Sequence, residues 1–165
     1  MIHYNIKNSW VDNDVVLCNP NIRLEAFLPD ENMSHIHLIL ADINHVLNPG
    51  VFFIRVHPWS LNFIMRAMSY SYYNKDKKIE NEDFIKDVLI NSEKSDHCVV
   101  VPQKWFNDYS NRNKTGDFLL HTSKDNEAKE IRNQIRNNDN WYKKKSKEMR
   151  DEVLQYYQSL KDKST

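Results

Sequence analysis

Two aspartates one residue apart, Asp12 and Asp14, stand near the start of an otherwise apolar run in SWVDNDVVLCNP. Carboxylates inside a buried strand are costly unless something positive answers them. At positions i and i+2 of a strand end, both would face one side. Such a pair can hold one Mg²⁺ or Mn²⁺, and the ion can neutralise a diphosphate. A solvated pair on an edge segment is the competing account. The chain has 14 Asp, so about one D-x-D is expected by chance, and context must decide.

His121 closes the run DFLLH (117–121). A histidine on a strand is more often packed than ligating. As a ligand it would add a nitrogen donor, which tilts an oxygen site towards Mn²⁺ over Mg²⁺. The other six histidines show neither H-x-x-H nor H-E-x-x-H spacing, which argues against a zinc site. Two glycines, Gly50 and Gly116, leave no room for a P-loop, a G-x-G-x-x-G turn or a G-x-S-x-G elbow. In a chain so poor in glycine, each should mark a place where the backbone needs one.

The elements that must position these residues come from a chain of 165, one domain's worth, with 40% hydrophobic and 12% aromatic residues. That composition is globular rather than disordered. Lys plus Arg balance Asp plus Glu at 23 each, so no net charge favours nucleic acid or an anionic membrane. The N-terminus lacks a secretory signal pattern, and no apolar run is long enough to span a membrane. Cys18 and Cys98 lie in apolar runs and read as buried free thiols. The sequons at Asn32 and Asn113 occur at chance frequency and carry no weight.

Residues 10–18, 36–40, 51–56, 97–102 and 117–121 read as strands, with LNPG (47–50) as a turn into the third. Pro20, Pro29 and DENMS (30–34) suggest an irregular or short helical connection. Ser60 is expected to cap a helix whose Leu61, Ile64, Met65, Met68 and Tyr72 form an apolar stripe. A polar loop (73–83) and a second amphipathic helix from Phe84 follow. Beyond residue 125, two charged helices broken around NNDN (137–140) are expected. The basic run WYKKKSKEMR (141–150) reads as a solvated helix face. The whole is α/β.

Four pieces, in order, resemble the fungal α-galactosyl/α-mannosyltransferases of glycosyltransferase family 34: WVDNDVVLCNPNIRLEAFLP, LNPGVFFIRVHPWS, VVVPQKWFNDY and GDFLLH. The likeness runs from about residue 8 to 125, and both glycines fall inside it. It implies a GT-A fold, here a partial one with a mixed sheet, flanking helices and a helical C-terminus, divided at 1–124 and 125–165. It also implies a retaining transfer of galactose or mannose, from UDP-galactose or GDP-mannose, to a glycan in α-linkage. By the same resemblance Asp12, Asp14 and His121 would hold Mn²⁺ (or Mg²⁺), and Asp42, Asn48 and Gly50 would approach the donor sugar. Glu82 and Asp83, at and just after the family's Glu-Gln pair, would be the candidate catalytic residues. A Golgi setting and a complex with other glycosyltransferase subunits are implied likewise.

The chain departs from that pattern in three places. It begins about ten residues ahead of the aspartates, so an N-terminally truncated domain is expected. Asn81-Glu82 replaces the family's Glu-Gln pair, and Thr122-Ser123-Lys124 replaces aromatic-Ala-Gly. The alternative function is therefore a degenerate, non-catalytic relative acting as a binding or complex subunit. A nucleic-acid-binding module is disfavoured by the zero net charge.

Overall fold

The apolar run that opens the chain is two strands, not one: β1 (Asn8–Val11) and β2 (Val15–Leu17). Asp12, Asn13 and Asp14 occupy the turn between them, closed by the Val15 amide donating to the Asp12 carbonyl at 3.3 Å. This corrects the single strand expected over 10–18. Asp and Asn favour turns because their short polar side chains compete with strand pairing for the backbone. The computed structural model describes residues 8–43, 46–75, 96–106, 108–109, 117–122 and 125–162. They belong to two compact units, Met1–Val11 with His35–Pro102, and Asp12–Ser34 with Gln103–Thr165.

The first unit is built on β1, β3 (Leu38–Ile43), β4 (Val46–Ile54) and β5 (Cys98–Pro102), in the order β1-β4-β3-β5. β4 runs antiparallel to β1 and β3, while β5 is parallel to β3, so the sheet is mixed. Leu38, Ile39, Leu40, Val51 and Phe53 are all buried, which accounts for the unalternated apolar runs of β3 and β4, whereas β5 buries Val99 and Val101 and exposes Val100. Trp10 stacks on its cross-strand partner Phe52, with ring centroids 6.2 Å apart.

The LNPG segment lies inside β4 rather than before it. Pairing jumps from Leu40 opposite Phe52 to Ala41 opposite Asn48, so Pro49 to Val51 form a bulge. Asn48 Oδ1 accepts the Gly50 amide at 2.7 Å across it, and Gly50 is buried. A residue without Cβ suits backbone that must pack this closely.

α1 (Pro58–Tyr73) differs from expectation twice. Its N-cap is His57, whose Nδ1 accepts the Trp59 amide at 3.2 Å, with Pro58 at the first helical position. Ser60 is the third residue of the helix and is buried. The stripe Leu61, Met65, Met68 and Tyr72 is exposed, Met68 to 77%. Trp59 and Phe63, stacked at 5.5 Å, make the inward face and pack on Leu38, Leu40 and Ile54. Of the polar loop expected over 73–83, Tyr73 instead ends α1 and Asn74 caps it, while 76–83 and the helix expected from Phe84 lie outside the described residues.

The second unit contains β2, the short β6 (Asp108–Tyr109) and β7 (Leu119–His121), in the order β2-β7-β6. β7 is antiparallel to β2 and parallel to β6. Helix α2 (Asp125–Arg136) lays Ala128, Ile131 and Ile135 on Val16, Cys18 and Leu120, with Trp141 closing the cluster. A 3-10 turn, Asp139–Tyr142, separates it from α3 (Ser146–Asp162), as the NNDN break anticipated.

α3 covers a second, aromatic core. Phe27, in the 3-10 turn Leu24–Phe27, meets Trp105, Phe106 and Phe118 at 5.0–6.4 Å between ring centroids. Tyr157 of α3, fully buried, donates its hydroxyl to the Phe27 carbonyl at 3.0 Å. Arg150 bonds the Leu28 carbonyl, and Lys161 pairs with Asp30 at 3.3 Å. At the helix start, the Ser146 hydroxyl accepts the Arg23 amide and donates to the Asn21 carbonyl. Burial would raise Glu152, but Lys104 at 2.6 Å and Lys144 at 2.7 Å outweigh it and hold its carboxyl down to about 2.

Candidate metal centre

The second unit brings Asp12, Asp14 and His121 together from opposite ends of its sequence. β2 pairs with β7 so that Val15 lies opposite His121. This places the turn before Val15 beside the residues that close β7. Thr122 then holds the turn: its amide and its hydroxyl both donate to the Asp14 carbonyl, at 2.8 and 2.7 Å. With the backbone pinned, His121 Nε2 reaches Asp14 Oδ1 at 3.0 Å. One ligand atom from each of the three residues lies within 4.8 Å of the others.

The donor set suits a divalent ion. Two carboxylates and an imidazole nitrogen form the mixed oxygen–nitrogen set that accepts Mn²⁺ or Mg²⁺, the nitrogen favouring Mn²⁺. Adjacent ligands of an octahedral ion at about 2.1 Å sit roughly 3.0 Å apart, which is the His121–Asp14 spacing. The burial is graded in a useful way. His121 is buried, Asp12 half-buried and Asp14 exposed, so an ion held here would keep solvent- or substrate-facing positions. Among the described residues this is the one group of three or more such side chains close enough to share an ion.

The means of convergence is not the one read from the sequence. Strand alternation was expected to put the two carboxylates on one face, whereas a turn does so. Thr122 is not among the residues expected at the site. It counted as a departure from the family pattern, yet its two bonds to Asp14 fix the site's backbone, and it is buried. No local signal marks a threonine that acts on a residue 108 positions away.

The remaining expected residues fall elsewhere. Asp42, Asn48 and Gly50 lie on β3 and β4 of the first unit, where Asp42 is opposite Leu47 and Ala41 opposite Asn48. They share one hairpin, at its bulge and beyond. Glu82 and Asp83 lie outside the described residues, as does Gly116. Both cysteines are free thiols, Cys18 buried and Cys98 partly so. Burial pushes each up to about 12, with the charge of Asp117 adding to the effect at Cys18. Thiols held neutral in this way are inert packing groups at ordinary pH.

No protein-family model matches the chain, and no curated protein does. Among solved structures it is similar to a glycosyltransferase involved in the glycosylation of the major capsid of PBCV-1. The TM-score is 0.58 at 14% identity, over 74% of this chain and 65% of that one. The chain thus spans just under two thirds of that protein's length. A likeness at this identity speaks to fold, and the expected GT-A-like α/β architecture is the one found: a mixed sheet, flanking helices and a helical C-terminal segment. No helix among the described residues is long and apolar enough to cross a membrane.

Proposed function

We propose that this chain is the metal- and donor-sugar-holding part of a retaining glycosyltransferase. It would move galactose or mannose from a nucleotide sugar to a glycan in α-linkage. The observation that carries the reading is the meeting of Asp12, Asp14 and His121 in a chain whose fold is that of a glycosyltransferase.

A bound divalent cation would supply fixed positive charge for the nucleoside diphosphate as it departs. The chain's own residues set the terms of that binding. Asp12 and Asp14 would offer carboxylate oxygens, and His121 would offer Nε2, the nitrogen that faces Asp14. Thr122 would hold the Asp14 backbone in place through its two bonds to the Asp14 carbonyl. Asp42, Asn48 and Gly50 would line the donor sugar, and Glu82 with Asp83 would supply the acidic group near the reacting carbon. A Golgi setting and a glycosyltransferase complex belong to the same reading.

A second reading is favoured by the departures at Asn81-Glu82 and at Thr122-Ser123-Lys124: a degenerate relative that serves as a binding or complex subunit without turning over. One experiment separates the two. Mn²⁺ with UDP or GDP should raise the melting temperature of the purified chain by several degrees, and Asp14→Asn should abolish the rise. Sugar transfer from UDP-galactose or GDP-mannose to a glycan acceptor then supports the first reading. A shift without transfer supports the second. No shift with either nucleotide sinks the first reading and favours the second, as a complex subunit.

A further inference from the structure

The first unit carries a group of titratable side chains that the metal centre does not use. The imidazole of His37 is sandwiched between two others. Its centroid lies 3.8 Å from that of His57 and 4.8 Å from that of His97, with interplanar angles of 21° and 18°. Trp59 flanks the stack, 5.8 Å from His37 and 5.5 Å from His97. His37 is buried, and its Nδ1 meets no hydrogen-bond partner among the described residues. Rings laid face to face do not converge their nitrogens on a common ion.

The hydrogen bonds constrain how each ring is protonated. His97 Nδ1 contacts the His35 carbonyl at 2.7 Å, and a carbonyl only accepts, so this nitrogen carries a proton. His57 Nδ1 faces the Trp59 amide at 3.2 Å, and an amide N–H only donates, so this nitrogen is bare. Doubly protonated imidazole has no acceptor. Protonating His57 Nδ1 therefore removes the N-cap of α1 and places a cation at the positive end of a helix.

The backbone ties the stack into the sheet. The His37 and Leu38 amides donate to the His97 carbonyl at 2.7 and 2.9 Å, and the Arg55 amide donates to the His37 carbonyl at 2.8 Å. The rings thus join the start of α1 to the leading ends of β3 and β5. The groups acting on His37 come from every element around it. They are His35 from its own lead-in, Arg55 from the end of β4, His57 from the start of α1 and His97 from before β5. All of them are cationic when charged.

We propose that His37, His57 and His97 form an acid-sensitive clasp: with neutral rings it seats the first turn of α1 on the sheet, and protonation loosens that turn. The inference stands apart from the glycosyltransferase reading. Burial, reinforced by His57, His97, Arg55 and His35, holds His37 down to about 4 from its ordinary 6.5. A base depressed in the folded state takes up its proton in the unfolded chain first. Stability is therefore complete above pH 6.5 and declines as pH falls towards 4. Loosening would uncover Trp59 and Phe63, and with them the apolar face of Leu38 and Leu40.

The test follows solvent exchange of backbone amides by NMR between pH 7 and 4.5, corrected for intrinsic rates. Trp59 and Leu61 report the first turn, Leu61 through its bond to the His57 carbonyl. Asn74, bonded to the Tyr70 carbonyl at the far end of α1, is the internal control. The clasp predicts that first-turn protection falls about tenfold over this range while that of Asn74 does not. His57→Asn keeps a side-chain acceptor that cannot be protonated, and His37→Phe keeps a flat ring without charge, so each should blunt the fall to threefold or less. Flat protection in the unaltered chain, or a full fall in both variants, overturns the proposal. Should the variants not fold, the unaltered chain still decides. A His37 ring resonance titrating well below pH 6 supports the clasp, and one titrating near 6.5 refutes it.

Discussion

Thr122 holds Asp14 by two hydrogen bonds to a single oxygen, the carbonyl of Asp14, with its amide at 2.8 Å and its hydroxyl at 2.7 Å. Neither bond touches the carboxylate that would face a metal. Both fix the peptide from which it hangs. Groups that orient ligands in this manner alter metal affinity by roughly 10–100-fold when removed.

Thr122→Val keeps the amide bond and the side-chain shape while deleting the hydroxyl. We expect Mn²⁺ affinity, followed by electron paramagnetic resonance of the free ion, to fall about tenfold. Thermal stability should drop by only about 1 kcal/mol. Unchanged affinity would reduce Thr122 to a packing residue.

The inward face of α1 invites a paired comparison. Phe63→Ala removes a ring packed on Leu38, Leu40 and Ile54 and should cost about 3–5 kcal/mol in urea denaturation. Met68→Lys, on the exposed stripe, should stay within about 0.5 kcal/mol of the parent. The reverse order would show that the helix seats its other face.

Much of this architecture was legible beforehand, and the exceptions have physical causes. The two C-terminal helices were readable because Ile131, Ile135, Trp141, Met149, Val153 and Tyr157 are all buried, so pattern and packing agree. At α1 the pattern misled. Periodicity reports that a helix has an apolar side, not which side meets the core, and two aromatics inside outrank five residues outside. The Asp12–Asp14 turn was hidden within apolar neighbours that serve two different sheets. The histidine stack was invisible because its members come from three separate stretches of chain, joined only once β3 pairs with β5. Long-range pairing of this kind leaves no local trace.

In the second unit, Tyr157→Phe leaves the Phe27 carbonyl without its buried donor. A loss of about 1–2 kcal/mol is expected in chemical denaturation. Phe27→Ala, which removes the ring that Trp105, Phe106 and Phe118 all meet, should cost about 3–5 kcal/mol.

Acid should weaken the second unit through Glu152. Its carboxyl is held at about 2 against 4.5 in the unfolded chain by Lys104 and Lys144, against the pull of burial. The contribution is present in full above pH 4.5 and is lost as pH falls towards 2. Melting curves of Glu152→Gln should lose part of the parent's decline over that interval. Identical pH profiles would show that the two lysines add nothing beyond solvated charge.

Cys18 belongs to one compact unit and Cys98 to the other. Burial pushes each thiol up, so alkylation should be slow at both, and slowest at Cys18, which is buried where Cys98 is only partly so. The chain thereby contains two built-in chemical clocks, one per unit. Mass spectrometry of timed iodoacetamide labelling would read which half of the molecule breathes first, with no tag introduced.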